Sequence, residues 1–143
     1  METPGQTDAL LDKVTELNVL YKQVTEVMLK EHGLSHSAIN LIHLIKDNEY
    51  TLKQITELSK LDKSTVSRQM NALVKKEFVT KTSGEDKRYA YFTLTDNAMA
   101  VFNDFQTHLK EKFSSILSGW TEEEVHMLTV LIGRLNRSMT NRI

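Results

Sequence analysis

Apolar residues recur at helical spacing from the start of the chain: Leu10, Val14, Leu17, Tyr21, Val24 and Met28. Their alternating steps of four and three average about 3.5 residues, which keeps one stripe facing a partner. Gly33 predicts the left-handed residue that ends this helix. Ser35 then caps a second helix whose Ile39, Leu41, Ile42, Leu44 and Ile45 are too apolar to lie anywhere but the centre. Asp47-Asn48-Glu49 breaks the pattern. Two short helical patterns follow, the first with Leu52, Ile55 and Leu58. The second is capped by Asp62 and carries Val66, Met70, Leu73 and Val74 on its inner face. Two short helices joined by a few residues predict a helix-turn-helix.

The period then changes. Residues 78–82 and 89–94 are rich in β-branched and aromatic side chains, and they flank the polar run Ser83-Gly84-Glu85-Asp86-Lys87-Arg88. This reads as a β-hairpin with a basic tip. After Thr95 helical spacing returns with Ala98, Phe102, Phe105, Leu109, Phe113 and Ile116, and Gly119 marks a break. Thr121-Glu122-Glu123-Glu124 opens a last helix as a capping box, and Val125, Leu128, Ile132, Leu135 and Met139 repeat the four/three spacing. The fold expected is mainly α with one small hairpin, and there is no internal repeat.

Composition narrows the function. The 143 residues include 40% hydrophobic and 26% charged side chains, an ordinary globular balance. The absence of cysteine excludes a disulfide framework, a thiolate zinc site and a thiol redox switch. The five glycines are too dispersed for a dinucleotide or phosphate loop or a nucleophile elbow, and no paired carboxylates stand in a catalytic context. An enzyme is therefore not expected. Met1 to Asp8 contains no signal-peptide pattern, and no apolar run approaches the ~20 residues that span a bilayer. A soluble cytoplasmic protein without a membrane partner is the expectation.

Eighteen basic against nineteen acidic residues leave a net charge of −1, which taken whole argues against a nucleic-acid partner. The charge is not evenly spread. From Lys53 to Tyr91 nine basic residues face five acidic ones, +4, while the remainder carries nine against fourteen, −5. A basic middle between acidic ends fits a nucleic-acid module on an acidic scaffold, and it also fits ordinary surface variation. The helix after Asp62 tips the balance. At about 100° per residue, with Val66 inward, Ser64, Arg68, Asn71 and Lys75 project outward, Ser67 lies on a flank, and Lys63 and Thr65 stand near the start. That face holds no carboxylate, whereas a merely solvated face mixes Glu with Lys. Arg suits guanine, Asn suits adenine, and short hydroxyls let a helix start approach phosphate or base edges. A β-ribbon beside such a helix can reach the minor groove, where an arginine reads width and potential. Lys87 and Arg88 stand at the hairpin tip, with Asp86 near enough to hold Arg88.

Several stretches resemble the MarR (multiple antibiotic resistance regulator) family of winged helix-turn-helix transcription factors. They are Leu61-Asp62-Lys63-Ser64-Thr65-Val66-Ser67-Arg68, then Leu73-Val74-Lys75-Lys76-Glu77-Phe78-Val79. The hairpin adds Asp86-Lys87-Arg88 and, five residues on, Leu94-Thr95, in register with the family's D-x-R…L-T pattern. The likeness runs from about Leu10 to Met139. It implies a single domain over 1–143, with a DNA-binding lobe at about 36–95 and dimerisation helices at about 8–32 and 96–142. It further implies a homodimer on double-stranded DNA, with helix Asp62–Lys76 of each subunit in the major groove and Arg88 in the minor groove. One departure is Ser59-Lys60 in the turn, where many members have glycine.

The family also implies a small-molecule effector, for which Tyr21, His43 and Trp120 are amphipathic candidates. The histidines (32, 36, 43, 108 and 126) form no i,i+4 pair within one uninterrupted helix, so they read as surface or pocket-lining groups, with no metal or cofactor expected. The expected function is a ligand-responsive, dimeric repressor on a pseudo-palindromic operator. The rival is a winged-helix module that docks an acidic protein on the same basic face.

Overall fold

The computed structural model describes residues 4–84 and 86–142, so Glu85 of the hairpin tip lies outside the described residues. The elements in chain order are α1 (Pro4–Glu31), α2 (His36–Ile45), β1 (Tyr50–Thr51), α3 (Leu52–Ser59), α4 (Lys63–Lys75), β2 (Val79–Ser83), β3 (Ala90–Leu94), α5 (Asp96–Ile116) and α6 (Glu122–Thr140). The chain divides into two compact units, Met1–Thr107 and His108–Ile143, with the boundary inside α5.

In the first unit α2 is central, as its composition demands. Ile39, Leu41, Ile42 and Ile45 are buried on it, against a core completed by Ile55 of α3, Val66, Met70 and Leu73 of α4, and Phe92 of β3. Ala98, Phe102 and Phe105 bury the first half of α5. Leu58 departs from expectation. It stands 51% exposed at the end of α3, just before Lys60 turns the chain with φ 63°. The turn therefore takes a left-handed lysine where a glycine is common, and the fold is kept.

The hairpin is one strand larger than its pattern implied. β3 pairs antiparallel with β2 from Val79↔Leu94 to Ser83↔Ala90, and on its other edge with β1 through Tyr50↔Phe92 and Thr51↔Tyr91. The expected two-stranded wing is thus a three-stranded sheet of order β1-β3-β2. Two residues are too few to show an alternation, which is why β1 leaves no mark in the hydrophobic pattern.

Helix ends follow their caps. Ser35 accepts from the Ala38 amide at 3.1 Å, and Thr51 and Thr121 each form a reciprocal capping box, with Gln54 and Glu124. After α1 the Leu34 amide donates to Leu29 O at 2.9 Å and the Gly33 amide to Lys30 O at 3.0 Å, around a left-handed Gly33 with φ 68°. Leu29 and Leu34 are both buried, completing a Schellman motif. The same motif ends α4, where Phe78 donates to Leu73 O and Glu77 to Val74 O, both at 3.0 Å. There Glu77 adopts φ 63°.

In α1, Leu10, Val14, Leu17 and Tyr21 are exposed, although they form the apolar stripe. In the second unit no residue of α6 is buried, and Leu128, Ile132, Leu135 and Met139 stand open to solvent. Among the described residues no helix is long and apolar enough to cross a membrane.

Gly33→Ala should lower stability by about 1 kcal/mol, since a Cβ there meets nothing within 4 Å and only the left-handed backbone opposes it. Gly119→Ala, with equally open space and no positive φ, should be neutral or slightly stabilising. Denaturant midpoints of the two variants check this, and equal losses would contradict it.

Candidate nucleic-acid interface

α4 begins at Asp62, an extended residue whose carboxylate closes the helix N-terminus. Its Oδ1 accepts from the Thr65 amide at 2.8 Å and from Ser64 Oγ at 2.7 Å, and its Oδ2 accepts from Thr65 Oγ1 at 2.9 Å. The Ser64 hydroxyl foremost, then the Thr65 amide and hydroxyl, with Arg68 adding its charge, hold the Asp62 carboxyl down to about 2. Beyond the cap the helix presents two faces. Val66, Met70 and Leu73 are buried, while Lys63, Ser64, Arg68, Asn71 and Lys75 are exposed and Thr65 and Ser67 are half-buried on the flanks. Among the described residues of α4 there is no carboxylate.

The C-terminal end of α4 is tied down. Lys76 Nζ donates to Gly33 O at 2.5 Å, joining the end of α4 to the corner between α1 and α2. Thr95 Oγ1 donates to Glu77 O at 2.7 Å and the Thr95 amide to Phe78 O at 3.1 Å, so the residues after α4 also anchor the end of β3. These anchors were not predicted. A lysine bonded to a carbonyl 43 positions away has no local sequence signal.

In the wing, Asp86 grips Arg88 with two parallel bonds, Nε to Oδ1 at 3.0 Å and Nη2 to Oδ2 at 2.7 Å. The Arg88 amide also donates to Asp86 Oδ1 at 3.1 Å. The guanidinium holds the Asp86 carboxyl below the usual carboxylate range, and the carboxylate raises Arg88 in turn. The Arg88 side chain is still 79% exposed, so it is aimed and remains reachable. Its guanidinium carbon lies 5.6 Å from the Tyr89 ring centroid, a second support that the spacing did not reveal. Gly84 matters for a different reason. A Cβ there would stand 2.4 Å from Cε2 of Tyr91, so the ring lies directly over the backbone where the wing begins to turn.

Residues 32–88, from the α1–α2 corner to Arg88, match the model of the MarR family. The HTH-type transcriptional regulator YxaD of Bacillus subtilis is 33% identical over 88 residues, 61% of this chain and 62% of that protein. Staphylococcus aureus MarR in complex with salicylate and kanamycin superposes with a TM-score of 0.86 at 15% identity, covering 98% of this chain and 96% of that one. Over residues 32–88 the chain is similar to the MarR family.

A mutant E. coli MarR complexed with operator DNA has the same fold, with a TM-score of 0.74 at 16% identity over 94% of this chain and 99% of that one. The matched residues contain the whole helix-turn-helix, α3 and α4, and the basic side of the wing. Of the candidate effector residues, Tyr21 and His43 belong to the first unit and Trp120 to the second. Tyr21 is 40% and Trp120 46% exposed, and His43 sets its ring 5.6 Å from Phe102, with Lys46 Nζ at 5.1 Å from the same ring. Of the histidines, His36 Nε2 lies 2.7 Å from the buried Thr25 hydroxyl and His32 Nε2 3.0 Å from Asp104. Among the described residues no group of three His, Cys, Asp or Glu is arranged to hold a metal.

Asp62 gives the chain an acid-sensitive helix start. A carboxyl held near 2 when folded, against an ordinary value near 3.8, stabilises the fold at neutral pH, and that contribution drains away as pH falls through 2. Asp62→Asn should therefore flatten the dependence of the unfolding midpoint on pH between about pH 4 and pH 2 relative to the parent. Parallel curves for the two proteins would show that the cap carries no such linkage.

Proposed function

We propose that this protein is a homodimeric, sequence-specific DNA-binding repressor whose hold on its operator responds to a small molecule. The carboxylate-free outer face of α4 carries the proposal, with Arg88 independently aimed at the end of a β-ribbon. Arg68 and Asn71 take the base edges, and Ser64, Thr65, Ser67, Lys63 and Lys75 contact backbone or base edges in the major groove. Arg88, steadied by Asp86 and accompanied by Lys87, enters the adjacent minor groove.

The exposed apolar stripes of α1 and α6 support the dimer. Each leaves a row of large side chains in water within one chain, and a second copy related by a two-fold axis buries both. Two copies of α4 then meet half-sites about one DNA turn apart, roughly 34–36 Å, on a pseudo-palindrome. Residues about 8–32 and 96–142 serve this interface and about 36–95 the DNA, within a single functional domain. Work on an operator puts the protein in the cytoplasm. Binding of salicylate by the S. aureus protein supports an effector of small aromatic type, with Tyr21, His43 and Trp120 as its candidate contacts.

Selection of duplexes in vitro should return a preferred sequence bound at ~10⁻⁸ M or tighter at physiological salt. Arg68→Ala should then cost ~1–3 kcal/mol on that operator and relax the preference at one position per half-site. Equal loss on operator and scrambled duplexes would remove Arg68 from base reading. Arg88→Ala should reduce the slope of log K against log salt by ~1, and an unchanged slope would contradict its contact with DNA. The double variant Leu128→Glu/Leu135→Glu should sediment as a monomer and lose operator binding; a dimer of parental affinity would place the interface elsewhere.

A further inference from the structure

The start of α4 has a polarity that residue types alone do not reveal. Asp62 is held near 2 and is a carboxylate at any physiological pH, so it has no proton to give. The contact of 2.7 Å between Ser64 Oγ and Asp62 Oδ1 can therefore be bridged only by the proton of serine, and the 2.9 Å contact from Thr65 Oγ1 to Oδ2 only by that of threonine. Each hydroxyl has one proton, and both are committed. What Ser64 turns to its surroundings is a pair of oxygen lone pairs on the exposed face of α4.

That polarity limits what the residue can touch. Phosphate oxygens carry no proton and can only accept, so an oxygen with its own proton engaged is repelled by them. Guanine N7 and O6, adenine N7 and thymine O4 are acceptors too. The donors on the major-groove edge are the exocyclic amino groups, N6 of adenine and N4 of cytosine. Turning the Ser64 hydroxyl round to reach a phosphate would break its 2.7 Å bond to Asp62 Oδ1 and take a donor from a carboxylate beside a polyanion.

We propose that Ser64 is a specificity-determining residue that accepts a hydrogen bond from one exocyclic base amino group per half-site, with Asp62 as the positioning residue that sets this direction. The proposal rests on α4 entering the major groove. Thr65 has the same polarity but is half-buried, and it reinforces the cap. Ser64 thus reads the edge of an adenine or a cytosine instead of merely gripping the backbone.

The test uses the full-length protein and a duplex selected for it. Each adenine of a half-site is replaced in turn by purine, and each cytosine by 2-pyrimidinone, both of which lack the amino group. At one position per half-site, apart from any adenine that Asn71 reads, the parent should lose about tenfold in affinity. Ser64→Ala, at an exposed helical site that alanine favours, should show no such loss there while remaining sensitive at any adenine that Asn71 reads. The identity of the sensitive base separates adenine from cytosine. Asp62→Gly, a residue that helix starts tolerate at the cap, removes the carboxylate and frees the serine proton, and should reduce the same discrimination without removing operator binding. An Ser64→Ala profile identical to the parent's at every analogue would overturn the proposal. So would a uniform loss on operator and scrambled duplexes, which marks a phosphate contact. Failure of the broader reading shows earlier and differently, as a parent protein for which selection returns no preferred duplex.

Discussion

The arrangement of the first unit depends on one constraint, that α2 cannot face water. Four of its ten residues are buried apolar side chains, and Ile42 and Ile45 are wholly enclosed. A helix so short and so apolar has to be surrounded, and its neighbours each supply a buried side chain: Ile55 from α3, Met70 from α4, Phe92 from β3, Phe102 from α5. Enclosing α2 leaves α4 only its opposite side for solvent. The polar face of α4 is outward because the other face is required by the core, and the sheet is carried beside it by the short link from Lys75 to Val79. Burial thus sets the direction in which the DNA-binding surface looks, before any charge acts.

How much of this could be read from the chain depended on whether the signal was local. The helices were legible because burial repeats along them and because Ser35, Asp62 and Thr121 cap within three residues of their partners. The grip of Asp86 on Arg88 was legible for the same reason, two residues apart in a turn. β1 was not, since its pairing with β3 spans some forty residues and its own length shows no alternation. The left-handed Asp47, Lys60 and Glu77 were illegible in another way. Glycine is the usual mark of that conformation, and here the turns tolerate its cost, about 1–2 kcal/mol each, within ordered surroundings. Lys76 on Gly33 O, Tyr89 beside Arg88 and Tyr91 over Gly84 needed the fold itself.

The formal charge of −1 is the last matter that geometry alters. A count of acids and bases treats each carboxylate as an equal repulsion toward phosphate. Of the five acids between Lys53 and Tyr91, Asp62 and Asp86 stand at the reading surface, and each is turned onto its own neighbours. Asp62 sits at the positive end of α4, whose dipole offsets part of its field, and Asp86 faces the guanidinium it holds. Neither loses its charge, and some repulsion remains. What each supplies in exchange is direction: Asp86 fixes where an arginine points, and Asp62 fixes which way two hydroxyl protons point. Attraction to DNA is a matter of summed charge and falls with salt, whereas discrimination between bases depends on donors and acceptors held in known orientations. A carboxylate inside a basic surface weakens the first and makes the second possible, which is why these two acids fit the proposed interface and are not defects in it.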